Sequence, residues 1–256
     1  PSHASIFVWL FAVSAIWHYT SSATEITRYW VQFNPLVTPL IFLSIVTAFI
    51  AACFPHRTAA LMTMCLGQLV TIILRFPFVA DHLVMELFLN LGILGAYLAV
   101  AMRKRTLRVS LDEMFAIFSP VGRWLLVVMY FFGTFHKINP GFMSLSSSCA
   151  LPFIEGFPFV DGSNAWLAYA AIYGTLIFES IAMLLLLNAR TKYYGMLLGM
   201  SFHFIIGISG FGTLAHFSAF ALALHTLFLP SGFGDRMITE PRIPALLKNA
   251  ENFRIL

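Results

Sequence analysis

Tyr130-Phe-Phe-Gly-Thr-Phe-His-Lys-Ile-Asn-Pro-Gly-Phe142 is the stretch on which the reading of the chain turns. It places Lys137, with His136 beside it, at the end of an apolar run that begins near Val121. An ammonium held in hydrocarbon is costly, so such charges usually face a bundle interior, a partner or a polar cavity. The other reading is a lysine near a helix end that snorkels to the headgroups and anchors the helix. Position alone leaves both open.

Outward from this run the same character persists. Hydrophobic residues make up 59% of the chain and charged residues only 10%, with mean hydropathy +0.85. Charge collects at the junctions between long apolar stretches, as in a multi-span helical membrane protein. The stretches recur almost to the end, so a signal peptide does not account for them. They run from Ser5 to Tyr19, Leu36 to Phe54, Ala59 to Phe78 and Asp81 to about Met102, then Val121 to Ile138, Ala165 to Leu187, Tyr193 to Ile208 and Thr213 to Leu229. A polar linker holding Glu25 and Arg28 follows the first run.

Arg103-Lys-Arg-Thr-Leu-Arg108 puts four positive charges into six residues. Behind it, Val109–Phe118 is predicted as a short amphipathic interfacial helix, with Leu111, Met114, Phe115 and Phe118 on its apolar side. Ser119-Pro120 then starts the fifth span. Residues 139–164, rich in Gly, Pro and Ser, are expected to form an external loop, and 231–256 a short cytoplasmic tail. The predicted fold class is all-α: one polytopic membrane domain over 1–256, with about eight spans.

Charge orients it. With Arg103–Arg108 in the cytoplasm, Arg57, Arg190, Lys192, Arg236, Arg242 and Lys248 also fall inside, and Glu25, Arg28, Asp81, Glu155 and Asp161 fall outside. Only Arg28 resists the positive-inside tendency. Both termini are therefore expected in the cytoplasm, and loop 139–164 on the outer or luminal side.

Counting depth at about 1.5 Å per residue sends polar groups from most spans to the outer leaflet. Lys137, His136, His18, Arg75, Asp81, His82, Glu86, His203 and His216 all lie there. A lysine held partly out of water can serve as a base, and histidines can relay protons at neutral pH. Arg75 is expected to pair with Asp81 or Glu86, either as a structural pair or as part of a pocket. His18 and His216 can equally be simple interfacial donors. Glu179 counts to the inner half of its span, which argues against a site shared with Lys137, and His225 and Arg123 read as inner anchors. There is no HExxH and no Cys/His ligand spacing, so no metal is expected. Cys53, Cys65 and Cys149 form no CxxC pair. No basic tract interleaved with aromatics points to nucleic acid.

Tyr130-Phe-Phe-Gly-Thr-Phe-His-Lys-Ile-Asn resembles the aromatic–Gly–Lys–Leu/Ile–Asp/Asn segment of vitamin K-dependent gamma-carboxylases and their horizontally transferred transmembrane (HTTM) relatives. A second landmark, Glu179…Asn188-Ala-Arg-Thr-Lys-Tyr…Ser201-Phe-His-Phe-Ile-Ile-Gly-Ile followed by Phe211-Gly, is similar to the later segment of that family. There, a basic turn leads into a span carrying Phe-His. The resemblance implies that Lys137 is the base that deprotonates a reduced, vitamin K-like quinone, with His203 close to the quinol. It places the chemistry on the luminal side. The carboxylases carry a large luminal domain after the membrane part, whereas 26 residues follow Pro230 here. A small lipidic or quinone-like substrate is therefore expected rather than a protein.

Three functions follow. The first is a carboxylase-like membrane enzyme with Lys137, His203 and His136 as catalytic groups and Arg75, His82, Glu86 and His216 as cofactor-binding groups. The second is a membrane scaffold holding a membrane-protein partner. The third is a small-solute transporter, against which the lack of internal repeats counts.

Overall fold

The computed structural model describes residues 2–30, 36–76, 81–151, 154, 157, 164–208, 212–230 and 233, with side chains excepted at 21–30, 37, 81–82 and 212–216. The fold is all-α. In chain order the helices are α1 (His3–Trp30), α2 (Val37–Cys53), α3 (Thr58–Ile73), α4 (Asp81–Lys104), α5 (Leu111–Lys137), the single turn α6 (Pro140–Met143), α7 (Ala165–Leu187), α8 (Lys192–Ile208) and α9 (Gly212–His225). A 3-10 turn, Thr226–Phe228, continues α9. Leu83–Lys104, Leu111–Lys137 and Ala165–Leu187 are long and apolar enough to cross a membrane, and Thr38–Cys53, Thr58–Ile73 and Phe217–Phe228 are shorter apolar helices.

The long helices close a ring. Each packs on its successor, α5 on α7, and α9 returns to α1. Inside the ring, α5 also touches α1 and α9. Its buried residues Leu111, Met114, Phe115, Phe118, Gly122 and Leu126 recur at three- and four-residue spacing, the period of one helix face. The Phe7 ring of α1 packs at a tilt on Phe115 and Phe118, at ring separations of 5.8 and 5.4 Å.

Two boundaries differ from the reading of the sequence. The predicted interfacial helix is not separate: Leu111–Lys137 is one helix running through Pro120. The Phe115 and Phe118 face meant for headgroups packs on α1 instead, and the ring of Pro120 costs one backbone bond without stopping the helix. The polar linker after the first run is helical to Trp30.

One end of the bundle is basic. Ser2, Arg57 and Arg108 line a common groove there, and Arg123, Ala189, Lys192 and Phe228 another. The His3 ring meets the Thr226 carbonyl at 2.5 Å, and Arg123 Nε donates to the Leu227 carbonyl at 2.7 Å. The chain start, the α2–α3 turn, the α4–α5 connection and the α7–α8 turn thus share one end. There α4 stops in a Schellman turn, with Thr106 N on Ala101 O, Arg105 N on Met102 O, and Arg105 left-handed at φ 52°.

Polarity is inverted relative to a water-soluble fold. Asn90, Gln68, His203 and His225 are buried, while Trp124, Phe42, Phe135 and Trp166 are exposed. Apolar surface on the outside is what contact with lipid requires.

The α7–α8 hairpin depends on Gly195, where a Cβ would lie 2.8 Å from the backbone nitrogen of Leu186. Gly174, on α7, has nothing within 4 Å of the same position. Gly195→Ala is expected to lower stability in detergent by roughly 1–3 kcal/mol through overpacking. Gly174→Ala should raise it by about 0.5–1 kcal/mol. Thermal unfolding of the two variants checks the pair, and equal shifts would remove the close approach as the cause.

Candidate active site at the end of α5

Lys137 is the last residue of α5, and the chain turns immediately after it. Asn139 Nδ2 donates to the His136 carbonyl at 2.5 Å, while Asn139 Oδ1 accepts from Phe142 N at 2.9 Å and so caps α6, whose first residue is Pro140. This doubles the chain back and sets the Phe142 ring 6.0 Å from Lys137 Nζ, within cation–π range. Phe142 and Ala150 pack on Ile172 of α7, so residues 142–150 form a cover over the end of α5.

Under that cover α7 delivers Glu179. Lys137 Nζ lies 2.6 Å from both carboxylate oxygens, with 22% of the lysine and 6% of the glutamate side chain exposed. One turn before the lysine, Gly133 faces the pair, and a Cβ there would make ordinary van der Waals contact, 3.8 Å, with both Glu179 Oε2 and Lys137 Nζ. A cavity of about 80 Å³ adjoins the pair, walled by Phe142, Cys149, Phe202 and Phe217.

This corrects the separation of Glu179 from Lys137. The depth count took α5 and α7 to end in one plane. In the structure the first turns of α7, through Ile172, stand beside the cover rather than beside α5. Glu179 therefore falls level with Lys137. The snorkelling alternative goes with it, because the ammonium turns inward to a carboxylate.

Deeper in the bundle lies a second cluster that reading by position missed. Tyr130 O–H meets His225 Nε2 at 3.0 Å, and His225 Nδ1 meets the Ala221 carbonyl at 2.6 Å. A carbonyl only accepts, so Nδ1 carries the proton and Nε2 receives the tyrosine hydroxyl. His225 is thus an interior group, not an anchor. His203 packs beside both rings, with centroids 5.8 Å from Tyr130 and 5.7 Å from His225. Phe217 and Phe202 stand 5.3 and 5.4 Å away. Neither His203 ring nitrogen has a hydrogen-bond partner among the described residues. A buried imidazole always carries an N–H, and leaving it unmet costs about 1–3 kcal/mol, so water or a ligand is the physical complement. Gly199 makes the cluster possible, since a Cβ there would collide with His225 Nε2 and the Tyr130 oxygen. The signal for it in the sequence was Gly199 four residues before His203, on one helix face.

A third group occupies the α1–α4 half. Arg75, Glu86 and Tyr19 lie within electrostatic reach of one another, and Ser44 bonds Thr71 at 2.9 Å. Arg75 and Glu86 form no direct ion pair, and Arg75 Nε and Nη1, Glu86 Oε1 and both amide atoms of Gln68 and of Asn90 have no partner among the described residues. Of the two expected partners, Glu86 acts on Arg75 at longer range than a contact pair, and the side chain of Asp81 lies outside the described residues. His136 is exposed against Phe132 and Phe135 and takes no part in the site. The side chains of Asp81, His82 and His216 lie outside the described residues.

No family model, curated protein or solved structure matches the chain.

Breaking a buried pair leaves a lone charge, at a cost of about 3–5 kcal/mol, whereas replacing both partners by apolar groups is often neutral or stabilising. Lys137→Met is expected to lower detergent stability by that amount, and adding Glu179→Leu to restore most of it. Thermal melts of the two single variants and the double variant check this. A double variant as unstable as the sum of the singles would show that the two side chains are not coupled.

Proposed function

We propose that this chain is a multi-pass membrane enzyme of gamma-carboxylase-like type, acting on a quinone-like or lipidic substrate next to Lys137. The observation that supports it most is the Lys137–Glu179 pair, buried under a cover and open to an aromatic-walled cavity. A purely structural ion pair needs no cavity.

The lining fits a reduced quinone in its chemistry. Phe142, Phe202 and Phe217 offer ring faces and Lys137 a proton acceptor, while His203, packed behind Phe202 and Phe217, carries an unused polar edge. When bound, such a group supplies an acidic O–H. Lys137 acts as general base from its neutral form, reached when its proton passes 2.6 Å to Glu179. Glu179 then stores that proton and keeps the lysine in place. His203, held by its aromatic neighbours, orients the substrate's second oxygen. The cover formed by residues 142–150 limits the access of water, which strengthens each of these interactions. The basic end of the bundle faces the cytoplasm in this reading, and the Lys137 end the outer or luminal side.

The scaffold reading has one observation in its favour. Only 22% of the α7 span is buried, against 39% in α4 and 44% in α5. Tyr169, Tyr173, Ile177 and Ile181 form an exposed stripe at four-residue spacing. A partner helix could cover it.

Mass spectrometry of small molecules extracted from gently purified protein separates the two. Wild type is expected to carry a quinone or one defined lipid well above its share of the membrane, and the Lys137→Met/Glu179→Leu variant to lose it. The same molecule would then be turned over by wild type only. Equal recovery of bulk lipid from both would remove the enzyme reading and leave the partner-holding one.

A further inference from the structure

At the basic end, far from Lys137, three segments remote in sequence enclose a groove of about 710 Å³. Ser2 and Ser5 come from the start of α1, Arg57 and Thr58 from the head of α3, Arg108 from the α4–α5 connection and Asp112 from the first turn of α5. Thr58 Oγ1 donates to the Val109 carbonyl at 2.9 Å and so ties two of these walls together. The groove is thus built by the tertiary fold rather than by one loop.

Its charge is open. Arg57 and Arg108 form no ion pair among the described residues, whereas nearby Lys104 is engaged by Glu113. Among the described residues, Asp112 is the single acidic one lining the groove. Thr58 uses its hydroxyl on Val109, and Arg57, at the N-cap of α3, gives no side-chain cap. The first amides of that helix are left for another acceptor. Ser2 and Ser5 bond each other through their hydroxyls at 3.1 Å, which leaves one hydroxyl proton of the two for an outside acceptor.

The rim is apolar. Leu107, which precedes Arg108 and lines the same groove, is 79% exposed. A soluble anion gains nothing from a bare leucine beside the arginines. A phospholipid matches both, with its phosphate among the donors and its glycerol and first methylenes along Leu107. Arginines at the end of membrane helices attract anionic headgroups by roughly 1 kcal/mol per charge.

We propose that this groove binds the phosphate headgroup of an anionic phospholipid, in the leaflet opposite the Lys137 cavity.

The full chain in detergent, titrated with phosphatidylglycerol and with phosphatidylcholine of the same acyl chains and read by native mass spectrometry, tests it. Wild type is expected to favour phosphatidylglycerol about tenfold or more, as two unpaired arginines would give. Arg57→Gln/Arg108→Gln should bring the ratio close to one. Ala59→Glu, which puts a carboxylate on an exposed site in the first turn of α3 where helices accept one, should do the same without disturbing the fold. Arg190→Gln, at the same end but outside the groove, should leave the preference intact. The proposal is overturned by equal binding of the two lipids to wild type, by retention of the preference in the groove variants, or by an equal loss in Arg190→Gln. Displacement of the lipid by millimolar inorganic phosphate would likewise overturn it, making the groove a soluble-anion site.

Discussion

An ammonium and a carboxylate 2.6 Å apart, the carboxylate buried and the ammonium mostly so, constrain everything around them. In a low-dielectric interior neither charge is tolerable alone, and the pair is tolerable only in good geometry. Several features answer to it. Asn139 and Pro140 turn the chain over the lysine, and Phe142 offers its ring to the remaining face of the ammonium. The pair also ties α5 to α7, two helices separated in sequence by the whole of the cover. It is both a clamp and a chemical resource, because a proton moved between its members converts two ions into a neutral base and acid.

The interior elsewhere is wetter in character than its exterior. Buried His203, Gln68, Asn90, Arg75 and Glu86 carry polar atoms with no protein partner among the described residues, while phenylalanines and tryptophans face outward. Sealed in a dry core, such groups would make the bundle unstable. They make sense in a bundle that holds water or a polar ligand and presents hydrocarbon-like surface to lipid. The two halves of the ring do this differently. The α5–α9 half concentrates aromatic rings around histidines, and the α1–α4 half sets amides and hydroxyls around a separated arginine and glutamate.

Much of the fold was legible because apolar runs and their junctions survive without any tertiary information. The helices α2, α7 and α8 begin and end close to where composition changes, whereas α3 stops at Ile73, short of the end of its apolar run. Boundaries failed where packing overrode local pattern. Phe115 and Phe118 have the spacing of an interfacial helix, but α1 takes up their apolar face and the helix runs on through Pro120. Glu25 and Arg28 mark a linker by polarity alone, yet helix continues past both. At the site, the sequence points to Lys137 and His203 because charge and imidazole in an apolar run are conspicuous. Glu179 was seen but misplaced, since depth counting presumes that all helices start level. Tyr130 was passed over as one aromatic among many, and only its partnership with His225 across Gly199 distinguishes it.

The closed ring has a consequence for how the chain is made. The His3 side chain meets a carbonyl 223 residues later, and Phe11 packs at 6.2 Å on Phe220. At about 5–20 residues per second, the first helix waits roughly 10–45 s for the surface that completes its burial. During that interval Tyr19 and its neighbours are half-dressed, with α2 on one flank and lipid or insertion machinery on the other. Assembly therefore cannot finish helix by helix as the ribosome delivers them. It is α9 that locks α1, and a nascent chain halted before α9 carries an open seam down its side.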